Sequence, residues 1–151
     1  MILNKNILLN HQPIKDMINY KDSVNGLSWG LTEAGYDIRI KQRVVLCNKS
    51  RFKLASSVEE FNMPDNLVAV VHDKSTWARV GLSVFNTVIE PGWKGFLTLE
   101  LVYHGYGELV IEEGSPIAQV LFSEIYERSS YKGKYQNQKD EPVNAIIDKP
   151  V

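Results

Sequence analysis

With 151 residues, 44% hydrophobic and 23% charged, the chain has the make-up of one globular domain, residues 1–151, large enough to bury a continuous core. A formal net charge of −1 gives no overall attraction to nucleic acid or to an anionic membrane, and no run approaches the ~20 apolar residues of a membrane span. The single Cys47 excludes an internal disulfide and no secretory leader is evident, so the expected location is cytoplasmic.

Ile7, Leu8, Ile14, Met17 and Ile18 predict one or two short helices over residues 5–19, interrupted near Pro13. From Gly35 the period changes to two. In "GYDIRIKQRVVL" Tyr36, Ile38 and Ile40 share one face, and Asp37, Arg39 and Lys41 the other. Cys47, at the end of this apolar run, is expected to be a small buried hydrophobe. "RFKLAS", "NLVAVVH", "GFLTLELVYH", "GELVIE" and "PIAQVLFSEI" follow as strands separated by Pro, Gly, Asn or Asp. Many short strands with little helix between them predict an all-β sandwich or barrel.

"HDKSTWARVGL", residues 72–82, breaks the pattern. Asp73 or Ser75 can cap a short helix that stops at Gly81, and Ser75 and Arg79, four apart, share a face. A hydroxyl, a guanidinium and the Lys74 ammonium beside free helix amides describe a polyphosphate seat, or equally a capped surface helix. In "GFLTLELVY" Leu97, Leu99, Leu101 and Tyr103 lie on one side and Phe96, Thr98, Glu100 and Val102 on the other. Neither is a solvent face. Glu100 is therefore expected to be partly desolvated with a raised pKa, as a general base requires, unless Arg39 or Arg79 pairs with it. One Cys and the scattered His11, His72 and His104 give neither a CxxC pair nor an HxE signature, so zinc is not expected. Residues 129–151 lack core periodicity. They read as a frayed tail, or as an arm offering Lys132, Lys134, Gln136 and Gln138 to an anion.

Five blocks in order carry a resemblance: "AGYDIRI" (34–40), "HDKSTWARVGL" (72–82), "NTVIEPGWKGFLTLEL" (86–101), "GSPIAQVLF" (114–122) and "YKGKYQNQ" (131–138). Together the set resembles the dCTP deaminase branch of the dUTPase-like superfamily. Leu99-Glu100 in the strand and the "GKYQNQ" tail are deaminase-like rather than dUTPase-like. The resemblance implies a distorted β-barrel or jelly-roll-like fold, a homotrimer with sites at subunit interfaces, and a 129–151 arm that closes them. It implies zinc-independent deamination of dCTP to dUTP and ammonia, supplying thymidylate synthesis, with Mg²⁺ carried on the triphosphate and dTTP as a potential inhibitor.

By the same resemblance Glu100, Ser75 and Arg79 are catalytic, and Lys74, Ser75, Thr76, Trp77, Ala78 and Arg79 hold the phosphates. Asn86, Thr87 and Val88 read the base, Glu90 faces the deoxyribose 3′-OH, and Thr98 and Leu99 line the pocket. Lys134 and Gln138 close from the arm, and Tyr131 helps at the sugar or phosphates. Departures exist as well. Val88 stands where some members carry arginine, the Arg79–Glu90 segment is about two residues short against many deaminases, and Glu90 replaces the Asp of dUMP-forming members. The first two bear on the base contacts, and Glu90 favours an enzyme that releases dUTP. A bifunctional enzyme forming dUMP, a dUTPase and a catalytically silent regulatory trimer are the alternatives.

Overall fold

The structure, a computed structural model, describes residues 1–85 and 87–149. Strand β1 (Ile2–Leu3) leads into helix α1 (Lys5–His11), which ends where Gln12 turns left-handed just before Pro13. The predicted break falls here, but no second helix follows. Ile14 instead bridges Phe61 and is fully buried. Strands β2 (Lys21–Val24) and β3 (Leu27–Leu31) form a hairpin that the apolar pattern did not announce. Asn25 and Gly26 close it, both at positive φ, as a two-residue turn between twisted strands requires.

Next come β4 (Tyr36–Arg39), β5 (Val44–Cys47), β6 (Phe52–Asn62) and β7 (Leu67–Asp73). A single helical turn, α2 (Ser75–Ala78), separates them from β8 (Leu82–Val84), β9 (Val88–Ile89), β10 (Lys94–Tyr103), β11 (Glu108–Ile111) and β12 (Pro116–Glu124). One sheet runs β2-β3-β4-β12-β7-β9, with β1 also paired to β12. A second runs β6-β10-β8, and β11 pairs with β5. The mainly β expectation holds, in the jelly-roll-like form. Among the described residues the sheets do not close into a barrel.

The core lies between these sheets and draws on Leu8, Tyr36, Ile38, Phe61, Leu99, Leu101 and Phe122. Strand β10 shows why the register is fixed. Leu97, Leu99, Leu101 and Tyr103 all point into the core, each stabilising the fold by roughly 2 kcal/mol. A one-residue slip would exchange them for Phe96, Thr98, Glu100 and Val102, so the hydrophobic term holds Glu100 on the outer face. A register shift against β6 between Phe96 and Thr98 sits two residues before that glutamate, and Ser57 Oγ takes the Leu97 amide there.

Asp37 lies in the alternation opposite Tyr36 and Ile38 and is buried, because β3 and β12 flank β4 and the Lys74 side chain closes over it. One expectation on burial is corrected. Cys47 is only half-buried. Arg39 stacks on Trp29, 3.6 Å from the ring centre, and its Nε donates to Glu59 Oε1 at 2.8 Å. That satisfies a carboxylate that burial alone pushes above its ordinary range.

Residues 129–149 are not a frayed tail. The arm docks along the second sheet through Tyr131 N to Pro91 O, Trp93 Nε1 to Tyr135 O and Phe96 N to Gln138 O. Lys41 pairs with Asp140 beyond them. Gly95, φ 134°, lets the Gln138 backbone lie directly against β10. A Cβ there would stand 2.6 Å from Gln138 N and 2.7 Å from its carbonyl oxygen.

Candidate active site

Glu100 emerges from β10 opposite Leu54 of β6, into a cavity of about 640 Å³. Phe52, Leu54, Val88, Ile89, Trp93 and Leu97 give this cavity apolar walls, while Thr87, Glu90, Thr98 and Gln138 supply polar edges. Tyr131, Tyr135 and the Val143–Ala145 segment of the arm complete the lining. Burial raises the Glu100 carboxyl above its ordinary range, and no favourable partner among the described residues opposes that rise. The expected alternative, an ion pair with Arg39 or Arg79, is absent from the described residues. Arg39 belongs to Glu59. A half-buried carboxylate without a partner is costly to keep for stability and useful for taking a proton.

Of the other expected residues, some line this cavity and some a second one, while Trp77, Ala78, Arg79, Leu99 and Lys134 line neither. Thr87, Val88, Glu90, Thr98, Tyr131 and Gln138 line the Glu100 cavity. Several are already engaged within it. Thr98 Oγ1 donates to Gln138 Oε1 at 3.0 Å and accepts from Val143 N at 3.1 Å. Thr87 O accepts from Val71 N. Tyr131 Oη accepts from Tyr135 N. Leu99 points the other way, into the core, and does not line the cavity. Asn86 lies outside the described residues. Lys134 pairs with Asp148, and Gln136 Nε2 donates to Gly92 O and Tyr131 O, so these arm side chains fasten the arm itself. Lys132 is exposed.

Lys74, Ser75 and Thr76 line a smaller cleft of about 340 Å³, with Lys21, Asp37, Asp73 and Gln119. No residue lines both cavities. The α2 turn follows the expected motif, with Ser75 and Arg79 at its two ends and Gly81 ending it at φ 93°. Its capping differs from expectation. Lys74 is the N-cap residue with no side-chain cap, and Asp73 Oδ1 instead accepts from Val84 N at 2.7 Å. One turn carries little dipole, so an anion here depends on side chains. Trp77 Nε1 donates to Pro116 O at 2.7 Å and anchors the turn, while Ala78 and Arg79 are exposed. Lys74 is committed rather than free. Its Nζ lies 2.6 Å from Asp37 Oδ2, with the two side chains only 11% and 8% exposed.

Sequence reasoning missed Phe52, Leu54, Trp93 and Tyr135 as cavity walls. Cross-strand pairing of β6 with β10 would have nominated Leu54, whereas the arm contacts of Trp93 left no local signal. Among the described residues no three or more His, Cys, Asp or Glu side chains gather closely enough to hold a metal ion, and no helix is long and apolar enough to cross a membrane.

The fold is that of the dUTPases. EIAV dUTPase superposes with a TM-score of 0.57 at 19% identity, covering 82% of this chain and 92% of that one. A dUTPase of Staphylococcus bacteriophage 80alpha, solved with dUpNHpp, gives 0.58 at 16% identity over 89% of this chain and 95% of that one. Sequence narrows the class. A family model described as dCTP deaminase-like matches residues 31–125. A dCTP deaminase of Campylobacter curvus is 34% identical, over 80% of this chain and 83% of that protein. One of Ehrlichia canis is 27% identical over 90% of each. The chain belongs to the dCTP deaminase-like family.

Proposed function

We propose that the protein hydrolyses dCTP, as its magnesium complex, to dUTP and ammonia, with Glu100 as the general base. The observation that carries this is the lone, half-buried Glu100 carboxylate on an apolar cavity of about 640 Å³, in a chain of the dCTP deaminase-like family. Bulk water, with a pKa of about 15.7, needs a strong acceptor when it attacks, and a glutamate with a raised pKa narrows the gap. Glu100 takes one proton from the water as its oxygen bonds to C4 of cytosine, and delivers that proton to N3. The remaining hydroxyl proton passes through the same carboxylate to the amino nitrogen as the C4–N4 bond breaks. Ammonia leaves and a C4 carbonyl remains, so the carboxylate ends as it began.

The division into two clefts supports a homotrimer. The residues assigned to the triphosphate, Ser75, Thr76 and Arg79, and the base-side residues Thr87, Val88, Glu90 and Glu100 do not share one cavity in one chain. A second copy supplies the Ser75–Arg79 turn to the Glu100 cavity, while Tyr131 and Gln138 of the arm close it. The whole chain acts as one domain in this reading, and dTTP, which shares the sugar and triphosphate, competes for the site. In the cell the enzyme works in the cytoplasm. Glu90 faces the sugar from the turn shaped by Pro91 and Gly92, where Gly92 has φ 74°.

Incubation with MgdCTP and, separately, MgdUTP tests the reading by measuring ammonia and pyrophosphate. Ammonia without pyrophosphate from dCTP is the expected result. Both products from dCTP would make the enzyme bifunctional. Pyrophosphate from dUTP alone would make it a dUTPase, and neither product would leave a binding protein.

A further inference from the structure

The resemblance casts Lys74 as a phosphate ligand, yet its ammonium is held in the protein by Asp37. Asp37 sits in β4, opposite Gln119 of β12, and is itself buried. Both charges have left water, an expense recovered only when the two groups are held in good geometry. Lys74 is the residue from which α2 starts, its backbone still extended while Ser75 is already helical. Asp37 thus grips the root of the turn, Asp73 grips it from the β8 side through Val84 N, and Trp77 grips it from the Pro116 side. With three anchors on three strands, Ser75, Thr76, Ala78 and Arg79 face outward, and Ser75 and Arg79 carry the polar groups at the two ends of the turn.

We infer that Asp37 and Lys74 are positioning residues. The pair does not touch nucleotide but fixes the Ser75–Arg79 turn against β4 so that Ser75 and Arg79 meet the triphosphate. This rests on the proposed reading of that turn as a nucleotide site. The pair is invisible to local sequence analysis, because its members belong to motifs 37 residues apart.

Asp37→Asn separates this from direct ligation by Lys74. If Lys74 bound phosphate, freeing its ammonium would leave the KM for dCTP unchanged or lower it. For a positioning pair, KM rises at least about tenfold while kcat stays within about threefold, since Glu100 is untouched. The double variant Asp37→Leu/Lys74→Met removes both charges and restores KM to within about threefold of wild type, whereas a lost phosphate ligand would leave it as poor as Lys74→Met alone. An unchanged or lowered KM in Asp37→Asn, or a double variant no better than Lys74→Met, overturns the inference. Thermal melting identifies any variant that does not fold. If Asp37→Asn is one, the comparison of the double variant with Lys74→Met decides. Ser75→Ala in the same assay tests the underlying reading separately. A wild-type KM there would show that the turn does not bind dCTP, whatever the pair does.

Discussion

Glu100 was legible at the scale of single residues because it breaks a rule. It is the one acid in a mainly apolar strand whose burial alternates, and the leucines around it fix which way it points. Its titration gives the first consequence. Burial raises its carboxyl above the ordinary 4.5, and only the ionised form can accept a proton from water. The rate therefore falls as pH drops through that raised pKa, and the acid limb of the kcat/KM profile lies above 4.5. A profile that stays flat down to the ordinary glutamate range would remove Glu100 from the base role. Lys74 shows the opposite limit of local reading. Its local setting, beside Ser75 and Arg79, suggests an anion ligand, and its actual partner is a distant aspartate whose burial only the sheet creates.

Strands with clean alternation, such as β7, β10 and β12, could be read to within a residue or two, because each buries alternate side chains. Strand β6 was read too short. It continues to Asn62 with Glu59 facing inward, and an inward charge destroys the apolar pattern even when Arg39 neutralises it. The β2–β3 hairpin escaped because its flanks are largely exposed and mixed, although Asn25-Gly26 was a usable turn signal. The arm escaped because it docks by backbone contacts and glutamine side chains, which leave no periodicity. Gly95→Ala tests that docking. The added Cβ meets the Gln138 backbone rather than a yielding side chain, and the left-handed φ adds about 1–2 kcal/mol of strain. Limited proteolysis should cleave the arm of this variant faster than that of the wild type, with a higher KM for dCTP. An arm as protected as in wild type would contradict its attachment through Gly95.

The proposed site, assembled from two copies, belongs to the scale of the whole molecule, and a single chain does not display it. At dCTP well below the wild-type KM, Ser75→Ala turns over slowly because it binds poorly, and Glu100→Gln because it lacks the base. When the two impaired variants are unfolded together and refolded, about a quarter of the sites combine an intact Ser75 with an intact Glu100, as random assortment around a ring of heterologous interfaces requires. Activity near that fraction is expected, and a mixture no more active than its parents would place both residues in one chain's site. The fold itself was readable from strand spacing, and the family from five ordered motifs. The proposed pairing of clefts was not, because it would depend on a second molecule. The most direct measurement is ammonia release from MgdCTP by the wild type and by Glu100→Gln, with folding checked by thermal melting. The wild type is predicted to yield ammonia and dUTP in equal amounts, with a rate loss on the order of 10²–10⁴-fold or more in the variant. A folded Glu100→Gln protein that deaminates at close to the wild-type rate would contradict the assignment of Glu100.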